Sequence, residues 1–300
     1  MRVGSRRSAL ALAQAELVAD MLGGCEIVPI VTRGDRGAPA GDKSRWVGEL
    51  EQALAAGEID LAVHSAKDVP GDLTDGLALL GVPARAPSED ALCGAGALAE
   101  LEPGARVGTS SLRRMAQLRA VREDLDVVAL RGNVDTRLTR LAEPERELRA
   151  IVLARAGLAR LGREHELGGV LDPAQFVPAP GQGAIALEGR AEDSAARAAA
   201  ESITDAASFA CLRAERTLAR ALGASCHTPM GALAEALGEG AMRLRGWVGL
   251  PDGSAWVGDE LRGELGAAEE LGDEVAARMG AAGARELLRR AEEMAGVGGS

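Results

Sequence analysis

From Arg2 to Leu187, short apolar runs alternate with stretches patterned as helices, and this alternation restricts the fold more than any other feature of the sequence. A strand that leaves through a helix returns to its own sheet by a right-handed crossover. The pattern therefore predicts partly parallel sheets with helices packed on their faces. Residues 2–4 read as a strand, and Ser8 caps a helix running to Leu22, with Leu10, Leu17, Val18 and Met21 on one face. A strand over residues 26–31, a glycine-rich loop over 32–42, a helix over 48–56 and a strand over 61–63 follow. Val82-Pro83-Ala84-Arg85-Ala86-Pro87 continues neither pattern and reads as a crossing between domains.

The alternation then restarts. Strands are expected over 106–108, 127–130 and 150–154, with helices over 111–122, 133–141 and 156–161. Pro178-Ala179-Pro180-Gly181 forms a second breaker, followed by the apolar run 184–187. Two similar α/β halves joined by two crossings leave a cleft between them, a common ligand site. The last third changes character. A long helix over 205–222 precedes strand-like runs over 231–256, joined by the turn Pro251-Asp252-Gly253, and two helical stretches start near Leu265. This part reads as a small α+β domain.

Composition narrows the function. The chain of 300 residues is 47% hydrophobic and 26% charged, an ordinary globular balance. Its net charge of −11 argues against nucleic-acid binding, so an acidic ligand would need a local basic cleft. Cys25, Cys93, Cys211 and Cys226 are widely spaced, which argues against a zinc site and a disulfide framework and fits a reducing compartment. No metal site is expected from three histidines, and His165 in its charged run reads as solvated. The N-terminal stretch reads as an amphipathic helix, not a signal peptide, and no stretch approaches a membrane span. A cytoplasmic protein is expected.

The basic residues are placed informatively. Thr109-Ser110-Ser111-Leu112-Arg113-Arg114 lies where a strand turns into a helix, and free N–H groups at a helix start bind anions. Arg113 and Arg114 add planar forks suited to carboxylates. Arg131-Gly132-Asn133-Val134-Asp135-Thr136-Arg137 repeats the arrangement, Arg160 stands in a third unit, and Arg6 at the first strand-to-helix turn. A single such arginine would read as a surface ion pair of small energy; the repetition favours a binding role. In His64-Ser65-Ala66-Lys67-Asp68-Val69-Pro70, Asp68 reads either as a carboxylate facing developing positive charge or as a turn residue paired with Lys67. Cys226, in a loop before Pro229, reads either as a nucleophilic thiol or as an inert small residue.

Together, H-S-A-K-D-V-P, V-G-T-S-S-L-R-R, L-R-G-N-V-D-T-R and the P-G-Q-G-A segment at Pro180 resemble the signatures of the porphobilinogen deaminase (hydroxymethylbilane synthase) family, in the family's order. The resemblance begins at Arg2-Val3-Gly4-Ser5-Arg6-Arg7-Ser8 and reaches Pro251-Asp252-Gly253. It implies two periplasmic-binding-protein-like α/β domains, residues 1–83 with 184–202 and residues 88–178, and a C-terminal α+β domain over 205–300. It further implies a transferase that condenses four porphobilinogen molecules onto a dipyrromethane cofactor with loss of ammonia, then releases hydroxymethylbilane by hydrolysis.

By motif, Cys226 would carry the dipyrromethane through a thioether, and Asp68 would be the central catalytic group. Arg6, Ser8, Ser65, Lys67, Thr109, Ser110, Ser111, Arg113, Arg114, Arg131, Gly132, Arg137, Arg160 and Gln182 would bind cofactor or substrate, with Lys43 on a mobile loop. The family resemblance implies a monomer whose partners are porphobilinogen and the growing polypyrrole. Three stretches depart from the family pattern: Lys43-Ser44-Arg45-Trp46 for Gly-Lys-Gly-Leu-Phe, residues 84–90 for a stretch with R-E-D-P-R-D, and Ala224-Ser225-Cys226 for Gly-Gly-Cys. A non-catalytic carboxylate-binding protein of the same fold, or a degenerate deaminase, would share most of these features.

Overall fold

The computed structural model describes residues 1–34, 44–224 and 228–294, without the side chains of residues 44 and 45. Lys43 and Cys226 lie outside the described residues. In chain order, β1 (Arg2–Arg6), α1 (Ala9–Met21), β2 (Glu26–Ile30), α2 (Ser44–Ala55), β3 (Leu61–Ser65) and β4 (Leu77–Gly81) come first. Between the two breaker segments lie β5 (Asp90–Cys93), β6 (Arg106–Gly108), α3 (Leu112–Val121), β7 (Asp126–Val128), α4 (Val134–Leu141), β8 (Leu148–Ala154), α5 (Arg155–Arg160) and β9 (Gly169–Leu171). Then follow β10 (Ile185–Arg190), α6 (Ser194–Ser202), α7 (Ala206–Ala221), β11 (Met230–Gly238), β12 (Ala241–Gly249), β13 (Trp256–Glu264), α8 (Ala268–Ala281) and α9 (Ala284–Met294).

Two five-stranded sheets have matching topologies. Their orders are β2-β1-β3-β10-β4 and β7-β6-β8-β5-β9. In each, the first three strands run parallel and the fourth antiparallel. The expected two-lobed, periplasmic-binding-protein-like α/β architecture is therefore present. A third, antiparallel sheet, β11-β12-β13, packs with α7, α8 and α9 as the smaller α+β unit.

Local chemistry explains where the helices begin. Ser8, Ser111, Asn133 and Asp205 each accept a backbone N–H from the first turn of the helix they precede, as N-cap residues do. Only part of the apolar face expected for α1 packs, Val18 being buried in the core. Ala11, Gln14, Ala15, Val18 and Ala19 are buried, while Leu17 and Met21 are 40% and 43% exposed. Small residues let the helix lie close on the sheet, and Gln14 is buried because its Nε2 donates to Ser65 Oγ at 2.9 Å.

The third unit is fastened to both lobes. Arg119 of α3 donates to Pro251 O at 2.9 Å, and Ala116, Val177, Leu233 and Trp247 share a small core. Gly253 sits in that contact with φ 78°, and a Cβ there would lie 2.6 Å from Ala120 N. Gly253→Val is accordingly expected to lower stability by about 1–3 kcal/mol, measured as a reduced urea midpoint, through both left-handed backbone strain and the clash. An unchanged midpoint would show that the turn is not held against α3.

A carboxylate on α7 ties the crossings together. Glu215, without solvent exposure, accepts from Arg85 Nη1 (2.5 Å) and Ala234 N (2.7 Å) through Oε1, and from Gly181 N (2.6 Å) through Oε2. The adjacent Arg216 donates through Nη2 to Pro70 O (2.7 Å) and Gly71 O (2.9 Å), just past Asp68.

Candidate active site

Open α/β sheets bind ligands beyond the carboxyl ends of their strands. Here β3 runs into a single 3-10 turn, Ala66–Asp68, β6 runs into Thr109-Ser110-Ser111, and β8 runs directly into α5. A solvent-open cleft of about 510 Å³ lies between the lobes. Ser65 and Lys67 line it from one side, Arg114, Arg137 and Arg160 from the other, and Gly181, Gly183 and Ala184 of the second crossing close it. Gly181, at φ 74°, passes so near the Asp68 turn that a Cβ would sit 2.9 Å from Lys67 N. A second cleft of about 380 Å³ adjoins the first through Leu10 and Ser65, and contains Arg6, Ser8, Trp46, His64 and Asp68.

The charge in the larger cleft is unbalanced. Arg114 has a carboxylate partner, Asp90, at 2.6 Å. Arg160 has, among the described residues, only the Gly183 carbonyl, at 2.7 Å. Among the described residues, Lys67 and Arg137 make no hydrogen bond or ion pair, and the buried Nε of Arg137 has no acceptor. Burial, with Arg114 close by, draws the Lys67 ammonium down to about 8, opposed by Asp68 and Asp90. Burial lowers Arg137 and Arg160 to about 10, so both stay charged at neutral pH. Cations held this way in a chain of net charge −11 favour a ligand that brings its own carboxylates.

In the smaller cleft Arg6 stacks over the Trp46 ring, 4.0 Å from its centroid. Asp68 is half-buried there, without a hydrogen bond or ion pair among the described residues, so it is not paired with Lys67. His64 forms the cleft wall and approaches the buried Glu188 to 2.9 Å.

Of the residues expected from the sequence, the two clefts bring together Arg6, Ser8, Ser65, Lys67, Asp68, Arg114, Arg137 and Arg160. Others sit elsewhere. Arg113 is 4% exposed and donates to Val177 O at 2.7 Å, with Nη1 also 2.8 Å from Asp90, because the buried carboxylate draws it inward. Gln182 is buried and donates to Ser88 O and Asp90. Thr109 and Ser111 are occupied in the turn: Thr109 Oγ1 accepts from Ser111 N, and Ser111 caps α3. Ser110 Oγ has no hydrogen-bond partner among the described residues. Arg131 and Gly132 are exposed before α4 and line neither cleft.

Asp90, Glu188, Gln14 and Trp46 were not singled out by sequence reasoning as site residues. Asp90 stands in a proline-broken stretch whose partners lie far away in sequence. Among the other cysteines, burial raises the Cys93 and Cys211 thiols to about 11, which leaves them unreactive.

Two family models cover most of the chain: "Porphobilinogen deaminase, dipyromethane cofactor binding domain" over residues 1–198 and "Porphobilinogen deaminase, C-terminal domain" over residues 209–281. The chain belongs to the porphobilinogen deaminase family. The porphobilinogen deaminase of Thermus thermophilus is 45% identical over 294 residues, covering 95% of this chain and 97% of its own. That of Deinococcus radiodurans is 44% identical over 307 residues, covering 97% and 98%. Among solved structures, the methionine-binding protein MetQ aligns over 68% of this chain and 89% of its own at 17% identity, with a TM-score of 0.40, a likeness too loose to inform function.

The donor set fits the group that the porphobilinogen deaminase model names. A dipyrromethane built from porphobilinogen bears carboxylate side chains, and the larger cleft offers Lys67, Arg137 and Arg160, which make no ion pair among the described residues. Among the described residues no cluster of His, Cys, Asp and Glu could hold a metal ion, and no helix is long and apolar enough to cross a membrane.

Proposed function

We propose that this chain catalyses the porphobilinogen deaminase reaction, with Asp68 as the catalytic carboxylate and Cys226 as the attachment point of a dipyrromethane. The observation that carries this reading is the convergence of Lys67, Arg137 and Arg160, cations that make no ion pair among the described residues, beside a cleft that holds Asp68, likewise without an ion pair among them. A non-catalytic binding protein is not favoured, given family membership over nearly the whole chain. The boundaries proposed for the three domains are residues 1–83 with 184–202, 88–178 and 205–300. We take the protein to act as a cytoplasmic monomer on porphobilinogen and the growing polypyrrole, without nucleic acid or membrane.

The chemistry assigned to the residues follows from their placement. When bound, the dipyrromethane would supply the free pyrrole α-carbon that receives the first incoming ring, each later ring joining the free α-carbon of the ring added before it. Lys67, Arg114, Arg137 and Arg160 hold acetate and propionate groups, which fixes the ring planes for attack. Arg6 and Ser8 do the same in the adjoining cleft. Breaking the C–N bond of porphobilinogen expels ammonia with the bonding electrons and leaves a cationic methylene pyrrole. Asp68 accepts the pyrrole N–H and stabilises that positive charge. The new C–C bond forms, and Asp68 assists removal of the α-carbon proton that restores the aromatic ring. After four additions the C–C bond between the product's first methylene and the primer ring would break, a proton going to the primer carbon and water supplying the hydroxyl of that methylene, so that hydroxymethylbilane leaves.

Intact-mass measurement of the purified protein tests this reading. A dipyrromethane adduct is expected, and Cys226→Ser should lack it. An unmodified mass from cells that make porphobilinogen, or full turnover by Cys226→Ser, would remove the basis for the proposal.

A further inference from the structure

Asp90 opens β5 and has no solvent exposure. Its Oδ1 accepts from Arg114 Nε (2.9 Å), Arg114 Nη2 (2.6 Å) and Gln182 Nε2 (2.9 Å), and its Oδ2 lies 2.8 Å from Arg113 Nη1. Arg114 also donates through Nη1 to Val152 O at 2.9 Å. One carboxylate thus joins β5, α3, β8 and the second crossing. The result is asymmetric: Arg114 is fixed in the wall of the larger cleft, and Arg113 is kept out of it.

We propose that Asp90 is a positioning residue for carboxylate binding: it aims Arg114 into the cleft and supplies the counter-charge that keeps Lys67 cationic among the guanidinium groups. The charges that act on the Lys67 ammonium are those of Arg114 of α3, Asp68 in its own turn, Asp90 of β5 and Arg113 of α3. Arg137 of α4 and Arg160 of α5 share its cleft. Of these, Asp68 and Asp90 are the anions, and Asp68 is committed to the reacting centre. Without Asp90 the cations repel one another in a poorly solvated site, and the ammonium is the one that can release its proton. The proposal rests on the function above only for the identity of the ligand.

The chain has two lysines, Lys43 and Lys67, so isotope-labelled lysine gives two titrating side-chain signals, assigned with Lys43→Arg. Burial draws the Lys67 ammonium down to about 8, and in Asp90→Asn its midpoint should fall by about one pH unit further. KM for porphobilinogen should rise about tenfold at neutral pH while kcat changes less than about threefold. KM should also climb with pH through the Lys67 midpoint as the ammonium is lost, and that climb should begin earlier in the variant.

If Asp90→Asn does not fold, Asp90→Asn with Arg113→Met removes one anion and one cation together. The same rise in KM is expected there, because Arg114 again lacks its clamp. In a folded variant, a Lys67 midpoint or a KM that stays put overturns the proposal. The titration needs no substrate. A native chain inert toward porphobilinogen would therefore count against the function while Asp90 was still being tested.

Discussion

Asp68→Ala is expected to give a folded protein that releases ammonia from porphobilinogen about a thousandfold more slowly. The carboxylate is half-buried, lines the smaller cleft and makes no hydrogen bond or ion pair among the described residues, so its removal breaks no structural contact of its own. The stability of the variant should match that of the parent within error of a urea titration. Asp68→Asn sharpens the test. It keeps size and one hydrogen-bond acceptor but cannot hold negative charge or move a proton, so it should fail nearly as badly as alanine. Near-normal turnover in either variant would remove Asp68 from the chemistry.

Glu215→Ala is expected to cost about 3–5 kcal/mol of stability, the range for breaking one side of a buried ion pair. Four donors lose their acceptor together: Arg85 Nη1, Arg85 Nη2, Gly181 N and Ala234 N. Arg85 stands in the first crossing and Gly181 in the second, so the loss also loosens both segments between the lobes. Backbone amide exchange at residues 181–184 should accelerate relative to the sheet cores. Glu286→Ala, which breaks an exposed ion pair with Arg289 on α9, serves as the comparison and should leave the urea midpoint unchanged. Equal effects of the two substitutions would show that Glu215 is not an anchor.

The parts of the fold visible in sequence were those decided locally. Ser8 and Ser111 announced helix starts because a cap needs only its own first turn, and Pro251-Asp252-Gly253 announced a turn for the same reason. The packing face of α1 is only partly legible, because Leu17 and Met21 carry the stronger apolar signal while Val18 and the alanines make the close contact. In the site, Lys67 could be anticipated from the polar run after β3, Arg137 from its strand-to-helix turn, and Arg160 from the recurrence of basic residues in a third unit, where it ends α5. The division of labour between Arg113 and Arg114 could not. It depends on Asp90, which lies 24 residues from Arg114, and on Gln182, a further 68 residues along. Such contacts leave no periodicity in sequence.

The interleaving of the two sheets bears on the order in which the chain can acquire its shape during synthesis. β4 pairs with β10 alone, and β10 sits between β3 and β4. The amino-terminal sheet is therefore incomplete until residues 185–190 have left the ribosome, whereas every strand of the second sheet is available once residue 171 has emerged. The lobe made later is the first that can close, and the earlier one must wait with a gap in its middle.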